Sequence, residues 1–202
     1  MHAVKSLPED FQHRETLDLS STRSALWLNL AAVPLLFVFG WIFKTCFALL
    51  GAGDGTSLDI WQAIKAFSFA EWMIAILFLV LMLIAHELVH GMFFWLFTHE
   101  RPKFALRSGY AFAAAPDWYL SKYPYIMVGL SPLVIISVAC CVVSIFASPL
   151  LLGYLLLVAT FNAAGALGDM IVVGWVVQHK NPIYVRDRGD SFSVYSRNAN
   201  AK

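Results

Sequence analysis

The order of hydrophobic and polar positions divides the chain into four long apolar stretches separated by polar segments. The stretches cover residues 25–43, 72–97, 124–147 and 150–178. An α-helix needs about 20 mostly apolar residues to cross the hydrocarbon core of a bilayer. Because each stretch has about this length and almost no charge, the pattern predicts four transmembrane helices.

Two of the polar segments alternate in the way that is typical of β-strands. Residues 103–120 contain a Ser108-Gly109 pair between two short runs, which predicts a β-hairpin between the second and third helices. Residues 184–195 predict a second, small hairpin in the C-terminal tail. The expected fold is an all-α membrane protein with four transmembrane helices and these two short hairpins.

The same pattern predicts three regions along the chain. They are an N-terminal tail over residues 1–24, a four-helix membrane domain over residues 25–178, and a C-terminal tail over residues 179–202. The fourth apolar stretch is longer than a bilayer needs, and its residues 163–168 (AAGALG) are small. Glycine lowers helix stability and admits a close neighbour, so we expect this helix to bend or unwind there and to approach the second helix.

Composition supports a membrane location. Apolar residues make up 59% of the chain and charged residues only 13%, whereas soluble domains are about one quarter charged. The net charge of +1 gives no sign of a nucleic-acid partner. The partner that the composition does predict is the lipid bilayer.

Basic residues are concentrated in three of the polar segments. All except Lys44 and Lys65 lie before the first helix, between the second and third helices, or near and beyond the end of the fourth. Lys and Arg are enriched in loops on the cytoplasmic side of membranes. The charge distribution therefore predicts that both termini are cytoplasmic, and that the second and fourth helices run in the same direction, towards the cytoplasm.

Among Asp, Glu, His, Lys and Arg, only four residues lie within the apolar stretches, namely His86, Glu87, His90 and Asp169. An ionisable side chain at that depth is costly unless it is paired, hydrated or metal-bound, so such residues are usually functional. His86 and His90 are one helical turn apart and can bind one Zn²⁺. Glu87 can then act as general base on zinc-bound water, which makes HELVH a candidate HExxH peptidase motif.

Asp169 is the candidate for the third zinc ligand. His90 lies eight residues before Thr98, and Asp169 lies ten residues before His179. Both are therefore roughly 12–15 Å from the cytoplasmic ends of helices that run in the same direction. We expect His86, His90 and Asp169 to meet at one level of the membrane.

The residues alone leave alternatives open. Asn162, two turns before Asp169, could bind the substrate backbone or the oxyanion, or could make only a helix–helix contact. The His–His–Asp cluster could also belong to a divalent-metal transporter or sensor, to a non-catalytic zinc-binding relative, or to a polar network that packs helices. A transporter would tolerate Glu87→Gln, whereas a peptidase would not.

These motifs resemble two groups of membrane metalloproteases. An HExxH helix followed two spans later by Asp, with Asn before it, is similar to the site-2 proteases, although residues 162–169 (NAAGALGD) lack the prolines of their NxxPxxPLDG motif. A closer resemblance is to small bacterial membrane proteins known as putative zincin peptidases. The shared elements are HELxHG with Phe-Phe at 86–94, a strand-rich loop at 103–115, Tyr-x-x-Lys-x-x-Tyr at 119–125, Leu-x-Pro at 130–132 and Gly-Asp at 168–169.

The resemblance implies a zinc metalloendopeptidase in a bacterial plasma membrane. Its substrate partners would be peptides or transmembrane proteins, cut within or next to the membrane. In such an enzyme Zn²⁺ would be held by His86, His90 and Asp169, and Glu87 would be the acid–base group.

Overall fold

The computed structural model describes residues 3–51, 67–107 and 110–198. These residues are mostly helical. The α-helices among them are α1 (Thr22–Leu49), α2 (Phe69–Thr98), α3 (Lys122–Ser144), α4 (Pro149–Gly165) and α5 (Leu167–Gln178).

Three helices, α1, α2 and α3, are each long and apolar enough to cross a membrane. Helices α4 and α5 form a bent pair, interrupted at Ala166, that makes a fourth span if the two are counted together. Large apolar side chains such as Trp41 and Leu83 are exposed in the isolated chain, which fits contact with lipid. The helices are thus compatible with a multi-pass membrane protein. The first helix continues beyond its predicted end at Phe43, through Lys44 to Leu49.

Both ends of the chain meet in one antiparallel sheet. Its strands are β1 (Ala3–Val4), β2 (Phe11–Asp18), β5 (Tyr119–Ser121), β6 (Ile183–Asp187) and β7 (Ser191–Arg197), in the order β1-β5-β6-β7-β2. The segment that predicts a C-terminal hairpin forms β6 and β7. The segment that predicts only an N-terminal tail contributes β1 and β2, with Phe11 opposite Arg197.

A separate two-stranded ladder follows α2. It consists of β3 (Lys103–Arg107) and β4 (Tyr110–Ala114), which pair antiparallel with Lys103 opposite Ala114. The turn predicted at Ser108 and Gly109 lies outside the described residues. The predicted hairpin runs to residue 120, but β4 ends at Ala114 and the next strand, β5, belongs to the five-stranded sheet.

The chain divides into two compact units, each with its own core. The sheet unit comprises residues 1–28, 87–131 and 168–202, and its core includes Phe94, Leu120, Tyr125, Val176 and Val194. The helical unit comprises residues 29–86 and 132–167, and its core includes Phe43, Phe47, Leu152, Leu156 and Ala159.

Close packing in the sheet unit depends on Gly129 of α3. A Cβ atom there would lie 2.5 Å from Cγ2 of Val173 on α5. The fourth apolar stretch bends as expected, by 41° at the break between α4 and α5. Its glycines Gly165 and Gly168 are not points of close approach, because no described atom outside the local helix lies within 4 Å of a Cβ built on either.

We expect Gly129→Ala to lower the thermal unfolding midpoint, because the β-branched Val173 has few alternative rotamers and overpacking costs about 1–3 kcal/mol. The midpoint can be followed through tryptophan fluorescence in detergent. Gly165→Ala is the matched control and should be neutral or slightly stabilising, since it adds a methyl group in open space within a helix. Equal midpoints for wild type and Gly129→Ala would contradict this packing.

Candidate metal centre

The side chains that the sequence places in the membrane as zinc ligands come together in the structure. His86 and His90 lie one turn apart on the uninterrupted helix α2. The ligand atoms of His86, His90 and Asp169 all lie within 4.8 Å of one another. Two imidazoles and a carboxylate are a donor set found in catalytic zinc sites, which leave a further position for water or substrate. These residues therefore fit a zinc ion.

Asp169 reaches this position because the fourth apolar stretch breaks. The interruption at Ala166 starts a new helix at Leu167, so Asp169 falls in the first turn of α5. A helix N-terminus carries partial positive charge and stabilises a carboxylate there. The Asp169 Oδ2 atom lies 3.4 Å from Nε2 of His90. The Asp169 side chain is 30% exposed and that of His90 only 9%, so the pair is reached from the Asp169 side.

The other ring nitrogen of His90 is held by the backbone. Its Nδ1 atom lies 3.0 Å from the carbonyl oxygen of Val128 on α3. A carbonyl can only accept, so Nδ1 carries the proton and donates it. This tautomer leaves the lone pair on Nε2, the nitrogen that faces Asp169 and the metal position. Zinc-binding histidines commonly have this arrangement.

His86 is held in the same way by Asn162. The Asn162 Nδ2 atom donates to the carbonyl oxygen of Pro132 at 3.3 Å, which fixes the orientation of the amide. Its Oδ1 atom therefore faces Nδ1 of His86, at 3.0 Å, and accepts the proton. Both rings therefore donate through Nδ1, which leaves Nε2 of each as the nitrogen that could bind a metal.

Asn162 is 1% exposed, and its amide oxygen and nitrogen both have protein partners. These contacts support a role in orienting His86. The role in substrate binding that the sequence suggests for Asn162 stays a prediction.

We expect Asn162→Leu to weaken zinc binding about 10- to 100-fold, because His86 loses the acceptor that fixes its tautomer and ring orientation. Asn162→Asp keeps an acceptor at the same place and should bind zinc much more tightly than Asn162→Leu. Competition between the purified protein and a chromogenic chelator measures the affinity. Equal affinity of the leucine variant and wild type would show that this hydrogen bond does not orient the ligand.

Glu87 follows His86 on α2, and its Oε2 atom is buried. The sequence therefore places a carboxylate beside the first histidine, and the helix keeps it at the level of the metal ligands. An acidic side chain within an apolar stretch is costly and is usually functional. This position fits the acid–base role that the sequence predicts for Glu87.

A buried carboxylate outside the predicted spans, Asp187 of β6, was missed by the sequence analysis. The hydroxyl of Tyr125 donates to Asp187 Oδ2 at 2.9 Å, and the Gly189 N–H donates to Oδ1 at 2.7 Å. One signal in the sequence could have indicated it. Asp187 continues the alternation of Ile183 and Val185, and all three side chains of this strand face are buried.

Burial raises the pKa of Asp187 to about 6, against the hydrogen bonds from Gly189 and Tyr125, which lower it. An unfolded Asp has a pKa of about 3.9, so the folded protein binds this proton more tightly. The resulting stabilisation, about 3 kcal/mol, is fully present below about pH 4 and is lost as the pH rises through about 6.

We therefore expect the unfolding midpoint of wild type, relative to that of Asp187→Asn, to rise as the pH falls from 7 to 5. Thermal unfolding in detergent at a series of pH values gives this difference. Asp117→Asn is the control, because Asp117 is exposed and ion-paired with Lys103. The same pH dependence in wild type and Asp187→Asn would rule out Asp187 as the group responsible.

Comparison with known families adds one finding to this geometry. A family model described as "Putative zincin peptidase" matches residues 79–184, which is more than half of the chain. The match includes His86, Glu87, His90, Asn162 and Asp169. No curated protein and no solved structure gives a significant match.

Proposed function

The chain belongs to the putative zincin peptidase family, and from this premise we propose that it is a membrane-embedded zinc metalloendopeptidase. Membership of this family supports the activity of a zinc metallopeptidase. The observation that carries the finer proposal is the convergence of His86, His90 and Asp169, with ligand atoms within 4.8 Å, on apolar helices that also carry Glu87. The proposed zinc ligands are these three side chains.

Zn²⁺ bound by these residues would lower the pKa of a water molecule and polarise the carbonyl group of the scissile bond. The protein holds the proposed ligands in position before zinc binds. Hydrogen bonds from His86 to Asn162 and from His90 to Val128 engage Nδ1 of each ring and leave Nε2 of each available for the metal. Asp169 adds a negative charge at the exposed side.

Glu87 is the proposed acid–base residue. Its carboxylate takes a proton from the attacking water and later delivers one to the nitrogen of the departing amine. The Oε2 atom of Glu87 is buried, and a low-dielectric environment strengthens the interaction between this carboxylate and the charges that develop on the substrate. In this proposal one residue carries both proton transfers, because no other Glu lies in the predicted spans.

The ladder β3–β4 is the proposed guide for the substrate. The Phe104 ring of β3 lies so close to Gly91, the residue after His90, that a Cβ on Gly91 would meet it at 2.5 Å. This contact places the β3–β4 ladder beside α2, the helix that carries His90, within the sheet unit. An extended substrate segment could add to the ladder as a further strand, which would expose its peptide bonds. Substrate helices would have to unwind first, so we expect cleavage near Gly, Asn or Pro.

The five-stranded sheet supports one orientation of the chain in the membrane. It joins the N-terminal segment, the residues after the β3–β4 ladder and the C-terminal segment, which are the three basic regions. Segments paired in one sheet lie on one side of a bilayer. By the charge rule that side is the cytoplasm, so the proposal places both termini there and opens the site towards the cytoplasm.

Cleavage of a fluorescently labelled transmembrane peptide by the purified protein in detergent tests the function. We expect cleavage that a zinc chelator abolishes and that added zinc restores. Zinc flux into proteoliposomes, without peptide cleavage, would instead support a transporter. Zinc binding with neither activity, over a panel of transmembrane and soluble peptides, would support a non-catalytic relative.

A further inference from the structure

Pro132, inside α3, determines which backbone carbonyl is available as a hydrogen-bond acceptor for His90. In an uninterrupted helix the N–H of residue 132 would donate to the carbonyl oxygen of Val128, four residues earlier. Pro132 has no N–H and cannot make this bond, and a proline ring in a helix crowds the carbonyl group four residues earlier. The Val128 oxygen accepts instead from Nδ1 of His90 at 3.0 Å and from Oγ of Ser131 at 2.8 Å.

The same residue is linked to His86. The carbonyl oxygen of Pro132 accepts from Nδ2 of Asn162 at 3.3 Å, and Oδ1 of Asn162 accepts from Nδ1 of His86 at 3.0 Å. One turn of α3 therefore provides both anchoring points: the carbonyl of Val128 for His90, and the carbonyl of Pro132, through Asn162, for His86.

The number of donors explains why residue 132 has to lack an N–H. A carbonyl oxygen has two lone pairs, and those of Val128 are matched by His90 and Ser131. A residue with an N–H at position 132 would bring a third donor, which would compete with His90 for the Val128 oxygen. Val128 is 2% exposed, and Pro132 is fully buried, so water does not readily replace a lost bond.

We propose that Pro132 is a positioning residue for the zinc site: it frees the Val128 carbonyl to hold His90 and anchors the amide that holds His86. This inference rests on the proposed function in one respect, the assignment of His86 and His90 as zinc ligands. It adds that a backbone irregularity in a helix without zinc ligands sets the tautomer of both imidazoles.

The test is Pro132→Ala, compared with wild type as full-length protein in detergent. Restoring the N–H should lower zinc affinity about 10- to 100-fold, as for loss of a ligand's hydrogen-bond partner. The unfolding midpoint should change little, because the helical hydrogen bond that alanine restores offsets the bond that His90 loses. A merely structural proline would give the opposite pattern, a lower midpoint and unchanged affinity of the folded fraction for zinc.

Two variants serve as controls. Pro34→Ala restores an N–H inside α1, whose proline is exposed, and should leave zinc affinity unchanged. Ser131→Ala removes the second donor to Val128 but leaves His90 its acceptor, so it should bind zinc nearly as wild type does. Reduced affinity in Pro34→Ala would mean that the effect is general to helix straightening, and would overturn the proposal.

A measurement on the unmodified protein does not depend on how a variant folds. Nitrogen-15 NMR of labelled histidine in the zinc-loaded protein distinguishes coordination through Nε2 from coordination through Nδ1. We expect both His86 and His90 to carry the proton on Nδ1 and to bind zinc through Nε2. Zinc on Nδ1 of His90, or wild-type affinity in Pro132→Ala, would overturn the inference while leaving the zinc site intact. Failure of wild type to bind zinc at all would overturn the proposed function as well.

Discussion

Glu87→Gln is expected to abolish peptide cleavage while leaving zinc bound. Gln has nearly the same shape as Glu but cannot take up a proton from water, so both proton transfers are lost. General acid–base catalysis of this kind contributes about 100- to 10,000-fold to the rate. Initial rates on a labelled transmembrane peptide measure the loss, and the zinc content of the same preparation, determined by elemental analysis, should remain that of wild type.

Glu71→Gln is the matched control, because Glu71 lies on the same helix α2 but in its first turn, far along the chain from the HELVH motif. It should retain activity. Equal rates for wild type and Glu87→Gln would exclude the acid–base role and favour a metal-binding protein of another kind. Loss of zinc together with activity in Glu87→Gln would show that Glu87 supports the metal and not only the chemistry.

The cluster of candidate metal ligands could be anticipated from the sequence because a membrane restricts where ionisable residues can occur. Few such side chains lie in apolar stretches, and the charge rule fixes the direction of the helices relative to one another. These two arguments bring Asp169 to the level of His90, and the structure has their side chains 3.4 Å apart. The argument does not depend on contacts between particular helices, which a sequence cannot supply.

The groups that orient the ligands could not be predicted in the same way. The partner of His90 is the backbone carbonyl of Val128, and every residue has such a group. Only Pro132, four residues later, marks this carbonyl as free of its helical partner. The sequence shows Asn162 as a polar residue in a predicted span, but whether it faces substrate or His86 depends on how α4 packs.

The N-terminal strands were missed for a related reason. The residues of β2 pair with those of β7, almost at the other end of the chain, with Asp18 opposite Ser191. The exposed face of β2 is polar, so the segment gives little of the alternation by which strands are recognised. Strand β2 forms by pairing with the hydrogen-bonding edge of β7, and this edge exists only in the folded sheet.

The largest effect on the metal itself is expected from Asp169→Asn. The amide keeps the size of the side chain and its place in the first turn of α5, but it lacks the negative charge that balances zinc. Zinc affinity should fall by more than the about 10- to 100-fold expected for loss of a ligand's hydrogen-bond partner, and cleavage should fall with it. Competition with a chelator measures the affinity, and elemental analysis measures the zinc retained after purification.

Asp187→Asn is the control that makes this result specific. Asp187 is a second carboxylate of the sheet unit, but it is bonded to Tyr125 and is not among the residues whose ligand atoms converge. Its variant should therefore keep zinc while Asp169→Asn loses it. If both variants lost zinc equally, the affinity would depend on the summed negative charge of the sheet unit. If Asp169→Asn kept zinc at wild-type affinity, the third ligand would have to be another residue, and the convergence of His86, His90 and Asp169 would not define the metal site.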